Sequence, residues 1–384
     1  MKISPIVKTL LIIDLLWAIA GLFGGSLLDF YLYESGITFF DLIIANTIGY
    51  VSPLVLIIML NQKKTRIQDL MIFGMVITVI AYLIFALFPI TLLLVYIAMF
   101  MIGFNSFLYF TQFNILYFQE SKDHEGFFSS VYFSMGTIVE LLIPIIVGYI
   151  AYVYGFFYVF LITVILLLFS INFILKLEKK EFKYDLMKCL YEKKGFKMIT
   201  FILGIYEGCC GLIVVLLSLT YFTEPIELGI FLSFTTLVSV VVSLIVGHFS
   251  DLSRKRFKYI RYFGIGLAIT NLLAFFSSNV FLFYIFMSLR NVFASLFYPF
   301  TTAIFADSKR NMKKIMIGRE FVLNAGRVLG AFLTLLIYQI GDLRIGFLFG
   351  SVFILLYVYY ANKNKLVIKK GWETLQEPPE NLVN

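Results

Sequence analysis

Asp14, Glu140, Glu207, Arg290 and Arg327 each stand well inside a long run of apolar residues. An ionised side chain at the centre of a lipid bilayer costs roughly 2.5–3.5 kcal/mol. Five unpaired charges would cost on the order of 15 kcal/mol, as much as the net stability of a whole domain. They must therefore pair with one another or line a wetted cavity, as groups on ion and solute pathways do. At ~1.5 Å of rise per residue, Glu207 and Arg327 both lie about 13 Å in from one face of the bilayer. Glu140 and Arg290 come out near ~20 Å, and Asp14 near ~12 Å. Two acid–arginine pairs are expected at two levels, with Asp14 left over. Arginine does not shed its proton, so both pairs stay ionised. An unpartnered acid in a dry cavity can take up and release a proton, which makes Asp14 the candidate proton carrier.

Polar groups at the same depths extend this set. Asn105, Gln112 and Asn324 are expected along the pathway, with Asn46, Asn114 and Asn291 also at membrane depth. Glu320, Asn324 and Arg327 are spaced i, i+4, i+7 and share one helix face. Trp17 and Tyr206 lie within a turn of Asp14 and Glu207, in reach of a bound solute. No catalytic constellation is expected. His124 and His248 have no companion ligands, and Cys189, Cys209 and Cys210 fit neither a disulfide framework nor a zinc spacing. The G-x-x-x-x-G-K-[ST] phosphate loop does not occur, so ATP drive from this chain is not expected. Neither a metal nor a cofactor is implied.

The elements that must position these residues follow from composition. Of 384 residues, 61% are apolar and 14% charged, against about 25% charged in soluble domains. Too little polar side chain remains to cover a water-facing surface. Apolar blocks fall at about 6–28, 38–60, 68–88, 90–118, 127–152 and 154–175, then at about 198–221, 226–249, 260–278, 280–305, 318–338 and 344–361. The stretch Ile12–Leu28 resembles a secretory signal, but it is long and interrupted by Asp14, and reads as a retained first span. The net charge of +8 does not imply a nucleic-acid partner, because lysine and arginine concentrate in every second loop. Loops after odd-numbered spans hold a single basic residue, Arg344. By the positive-inside rule both termini are cytoplasmic and the chain is a multi-pass protein of the cell membrane.

The expected fold is all-α and integral to the membrane, with twelve transmembrane helices in two six-helix bundles related by pseudo-two-fold symmetry. The expected units are an N-terminal bundle over 1–176, a cytoplasmic amphipathic linker over 177–196, a C-terminal bundle over 197–362 and a cytoplasmic tail over 363–384. In the linker, Phe182, Leu186 and Leu190 recur every fourth residue, with Met187 and Tyr191 beside them and lysines opposite. That spacing predicts a helix lying in the headgroup plane, the alternative being a solvated charged linker. The tail carries Pro378 and Pro379 and is expected to be disordered. The halves repeat weakly: Tyr96-Ile-Ala-Met99 matches Tyr284-Ile-Phe-Met287, and Leu108 matches Leu296, at one offset of 188. Spans 3, 6, 9 and 12 carry no charge away from their ends, where Asp69, Arg261 and Arg344 stand, and are expected to face lipid.

The sharpest local motif is Gly247-His-Phe-Ser-Asp251-Leu-Ser-Arg254-Lys255-Arg256, between spans 8 and 9. It resembles the G-x-x-x-D-x-x-G-R-K signature of the major facilitator superfamily, with the spacing after Asp251 one residue shorter and Ser253 in place of the second glycine. The loop between spans 2 and 3 reads Asn61-Gln-Lys-Lys-Thr-Arg66, without the signature's glycine or aspartate. Span 5 has Pro144 and Gly148 but lacks the Gly-Pro pattern of the family's drug/proton antiporters. The resemblance implies a latch of Gly247, Asp251, Arg254 and Lys255. It also implies a cavity lined by spans 1, 4, 7 and 10.

The function expected is secondary active transport of a small solute by alternating access, coupled to protons, by a monomer. A permease-like sensor that binds without transporting is the alternative, and uptake and efflux both stay open. A membrane-embedded enzyme would need clustered carboxylates or histidines at a water interface, and no such cluster is present in the sequence.

Overall fold

A computed structural model describes residues 5–120, 125–192, 196–250, 256–306 and 311–364. The N-terminal half contains α1 (Pro5–Gly25), α2 (Leu28–Glu34), α3 (Phe39–Met59), α4 (Ile67–Leu87), α5 (Leu92–Asn105), α6 (Gln112–Glu120), α7 (Glu125–Tyr154) and α8 (Phe156–Ile174). After a short α9 (Leu186–Glu192), the C-terminal half contains α10 (Lys197–Tyr221), α11 (Pro225–Ser250), α12 (Arg256–Ala274), α13 (Val280–Ala306), α14 (Met312–Ile340) and α15 (Ile345–Lys363). Span 1 is α1 with α2, and span 4 is α5 with α6. Ten spans are apolar enough over their described length to cross a membrane. The other two are α7 and α12, and α12 opens on Arg256, Lys258 and Arg261. The fold is the expected one: twelve helices in two six-helix bundles.

Within each half the helices pack on apolar faces, and the outward faces stay apolar too. Phe73, Val76 and Ile80 on α4, Ile165 and Phe169 on α8, and Val352, Leu355 and Tyr359 on α15 are all exposed. Such faces suit lipid, where no hydrophobic force drives helices together and close backbone packing must do so instead. That packing is sharpest between α10 and α14. Gly204 and Gly208 on α10 face Gly326 and Gly330 on α14, four residues apart on each helix. A Cβ on Gly326 would meet the Phe201 carbonyl, and lie 2.9 Å from Gly204 Cα.

The halves meet mainly along two seams, α3 against α14 and α7 against α11, with α14 also touching the middle of span 4. A Cβ on Gly148 of α7 would lie 2.7 Å from the Pro225 carbonyl of α11, and one on Gly229 would meet the Pro144 carbonyl. The Ile145 amide donates to Ser233 Oγ at 3.2 Å across this seam. Phe39 and Tyr338 close the other, their ring centroids 6.5 Å apart. All these seam contacts lie toward the face opposite the one on which α1 begins.

On the terminus-bearing face the linker departs from the expected continuous helix. Strand β1 (Thr65–Arg66) pairs antiparallel with β2 (Glu181–Phe182), Thr65 opposite Phe182, and helix is confined to α9. Phe182, Tyr184, Leu186 and Cys189 are buried in the protein. Met187 and Tyr191 are 74% and 73% exposed. Tyr184 donates its hydroxyl to the Ile57 carbonyl at 2.5 Å, and Asn61 Oδ1 accepts from the Leu186 amide at 2.9 Å. The buried residues 182, 184 and 186 alternate, which is the period of an extended chain and not of a helix. The tail beyond Asn364 lies outside the described residues.

Candidate functional site

A cavity of about 800 Å³ lies between the two halves. Asp14 and Trp17 enter it from α1, Glu140 from α7, and Ser295, Tyr298 and Pro299 from α13. Span 4 contributes Asn105, Ser106 and Phe110, at a break in the helix. Residues Ser106–Thr111 form a single π-helical turn between α5 and α6. The widened turn leaves carbonyls that side chains take over: Thr111 Oγ1 donates to the Ser106 carbonyl at 3.1 Å, and Gln112 Nε2 to the Phe107 carbonyl at 3.3 Å. Turns of this kind re-aim side chains and are frequent at functional sites.

Asp14 is 5% exposed, and Glu140 is exposed to the cavity. Neither has a hydrogen bond or ion pair among the described residues. Trp17 stacks on Tyr109, ring centroids 5.0 Å apart, which fixes the indole beside Asp14 in the wall.

The pairing expected between Glu207 and Arg327 is present. Arg327 donates from Nε and Nη2 to Glu207 Oε2, at 2.9 and 2.7 Å. The chain of contacts continues: Arg327 Nη1 donates to Asn324 Oδ1 at 3.3 Å, Asn324 Nδ2 to Glu320 Oε1 at 2.6 Å, and Ser106 Oγ to the same Glu320 oxygen. One polar network thus runs from α10 through α14 to the π turn of the other half. The glycine seam between α10 and α14 brings the two charged side chains within reach, and it went unrecognised in the sequence although both Gly-x-x-x-Gly spacings are legible there.

The pairing expected between Glu140 and Arg290 is absent. Arg290 donates from Nε to Asn271 Oδ1 at 2.9 Å and from Nη2 to the Tyr206 hydroxyl at 3.0 Å. Equal depth does not fix the side of a helix. Arg290 turns into the C-terminal half, toward α10 and α12, whereas Glu140 turns into the cavity. Asn271 lies on span 9, expected to face lipid, and is fully buried. Of the other predicted residues, Asn105 lines the cavity, and Gln112 is fully buried within span 4. Glu207, Arg290, Arg327, Asn324 and Gln112 are not in the cavity wall. Gly247 lies in α11, while Asp251, Arg254 and Lys255 lie outside the described residues. Sequence reasoning missed Ser106, Phe110, Ser239, Ser295 and Tyr298, small or aromatic residues of common types that carry no charge signal.

Residues 198–375 match the sequence model of the Major Facilitator Superfamily. Several solved transporters share the whole fold. A POT family transporter crystallised with a thioalcohol-conjugated peptide is 12% identical, with a TM-score of 0.70 over 94% of this chain and 96% of its own. The E. coli fucose:proton symporter FucP is 14% identical, with a TM-score of 0.68 over 93% and 98%. The human organic anion transporter MFSD10 is 11% identical, with a TM-score of 0.66 over 93% and 100%. The C-terminal half of the chain thus resembles the major facilitator superfamily in sequence, and the whole chain shares the fold of these transporters. No curated protein sequence matches it.

Against the family pattern, spans 1, 4 and 10 line the cavity as expected, but span 7 does not, while spans 3 and 6, expected to face lipid, contribute Thr78, Tyr82 and Leu167 to the wall. The acid of span 7, Glu207, is turned to Arg327 instead. The repeat offset of 188 carries Phe110 onto Tyr298 and Thr111 onto Pro299. The π turn of span 4 and the proline of span 10 are thus equivalent helix irregularities at the same cavity. Pro299 lacks the N–H that would bond to the carbonyl one turn back, so α13 is loosened where α5 and α6 are.

Proposed function

We propose that this chain is a secondary active transporter that moves a small solute by alternating access and couples the movement to protons through Asp14. The cavity between the halves carries this reading. It is large enough for a small organic molecule, it is built from both halves, and it holds carboxylates without an internal partner. Rocking of one half against the other would expose it to each side in turn. The name of the fucose:proton symporter, a protein of the same fold, supports proton coupling. The lysine and arginine asymmetry of the loops supports cytoplasmic termini and a place in the cell membrane. The signature match supports a latch of Gly247, Asp251, Arg254 and Lys255 between spans 8 and 9. The pathway residues proposed are Asp14, Glu140 and Asn105 in the cavity wall, backed by the network of Glu207, Arg327, Asn324 and Glu320. Gln112 supports the break in span 4, and Arg290 the interior of the C-terminal half.

A thermal-shift screen of the purified protein against metabolites and drugs identifies a solute, and proteoliposomes then report its accumulation under a pH gradient. Asp14→Asn mimics the protonated acid permanently. The variant is expected to exchange solute passively and to lose gradient-driven accumulation. Accumulation by Asp14→Asn at the parent rate would remove Asp14 from the coupling.

A further inference from the structure

We infer that the solute carries a positive charge, as an organic cation or protonated amine with an apolar body, and that Glu140 is its counter-ion. The inference rests on the transport reading above and names the substrate class of the same cavity. Three observations on the wall carry it. Its titratable groups of acidic type are Asp14 and Glu140, and no lysine, arginine or histidine is among the described residues that line it. The buried cations nearby are spent elsewhere: Arg327 on Glu207, and Arg290 on Tyr206 and Asn271. The remaining wall is apolar or aromatic, with Trp17, Tyr82, Phe110 and Tyr298 among its members.

Two carboxylates in a cleft with low-dielectric walls focus a negative potential and concentrate cations. Aromatic ring faces add attraction for a poorly hydrated cation and accept its apolar parts. An anionic solute would meet like charge with no cation in the wall to receive it. The two acids then divide their tasks. Asp14, nearly closed off beside Trp17 and Tyr109, suits a proton. Glu140 is exposed to the open cavity and suits a bulkier charge. Glu140 stands one turn from Gly136, which also lines the wall, so no side chain crowds the carboxylate from that side.

The chain itself supplies the reporter. Its two tryptophans are Trp17, in the cavity wall, and Trp372, beyond the described residues. In the full-length Trp372→Phe protein, emission comes from Trp17 alone. Tetraphenylphosphonium and tetraphenylborate, ions of similar size and opposite charge, are titrated against it in detergent. Saturable quenching by the cation alone is expected. Glu140→Gln should weaken cation binding about tenfold or more, the loss expected when a desolvated charge partner is removed. Glu140→Asp, which keeps the charge, should restore most of it and controls for folding. Equal or tighter binding of the anion, or cation binding unchanged in Glu140→Gln, would overturn the inference. Uptake into proteoliposomes separates the two readings. Saturable cation binding without uptake leaves the cation site standing and removes transport. Uptake of anionic or neutral solutes alone leaves transport standing and removes the cation site.

Discussion

Arg327 illustrates how much a single buried charge requires of its surroundings. Its guanidinium makes two hydrogen bonds to one oxygen of Glu207 and a third to Asn324. Both side chains of the pair are about a quarter exposed or less, so solvent screens them only in part. Glu207→Gln would leave the arginine charged and without its acid. The expected loss is about 3 kcal/mol, the low end for breaking a buried pair. Thermal unfolding in detergent should show a clearly lowered midpoint, and the double change Glu207→Gln with Arg327→Met should recover part of it. An unaltered midpoint in the single variant would mean that water or another group already neutralises the arginine. This pair was legible in the sequence because helix rise converts residue number into depth. The supposed partnership of Glu140 with Arg290 was legible only to the same extent, since depth leaves the azimuth of each side chain open. Asn271 and Tyr206, which satisfy Arg290, are uncharged, and no counting of charges points to them.

At the scale of elements, the twelve spans follow from apolar blocks of bilayer length, and their packing follows from small residues that block hydropathy does not reveal. Gly326 faces backbone atoms of α10, which cannot rotate away as a side chain can. Gly326→Val is therefore expected to separate α10 from α14, to break the reach between Arg327 and Glu207, and to abolish a monodisperse peak in size exclusion. Gly211→Ala, on α10 but away from the seam, has open space around it and should behave as the parent. Equal behaviour of the two variants would show that the seam tolerates a wider spacing. The linker yields a separate prediction. Cys189 is fully buried beneath it, and burial pushes its thiol up to about 11, Lys314 nearby only partly opposing the shift. The thiolate is the reactive form, so little of it exists at pH 7–8. Maleimide should label Cys189 of the folded protein slowly and label it fully after denaturation. Fast labelling in the native state would mean that the strap formed by β2 and α9 opens readily. The extended strap itself was misread because two periods overlap in it. Residues 182, 186 and 190 fit a helix, while 182, 184 and 186 fit a strand, and only pairing with Thr65 and Arg66 decides between them.

For the molecule as a whole, the internal repeat is what makes the sequence most informative. The offset that aligns Met99 with Met287 and Leu108 with Leu296, all four buried, also aligns two aromatic residues that both line the cavity, Phe110 and Tyr298. Two copies of one bundle, each with a loosened helix at the same place, are suited to rocking about the site between them. The face opposite the termini is where the halves are drawn together here, by Gly148 and Gly229 on one seam and by Phe39 and Tyr338 on the other. On the transport reading proposed above, rocking parts these contacts once per cycle. A cross-link there should therefore stop transport without emptying the cavity of its ligands. Phe39→Cys with Tyr338→Cys places two thiols at the ends of α3 and α14, and the native cysteines described above are buried and out of reach. A short bis-maleimide or an oxidant should join the pair, and the cross-linked protein should lose solute flux in proteoliposomes while still binding ligand by Trp17 quenching. For the oxidised pair, reduction should restore flux. Full flux through a quantitatively cross-linked protein would mean that this face stays shut throughout the cycle, and alternating access by rocking of the halves would have to be given up.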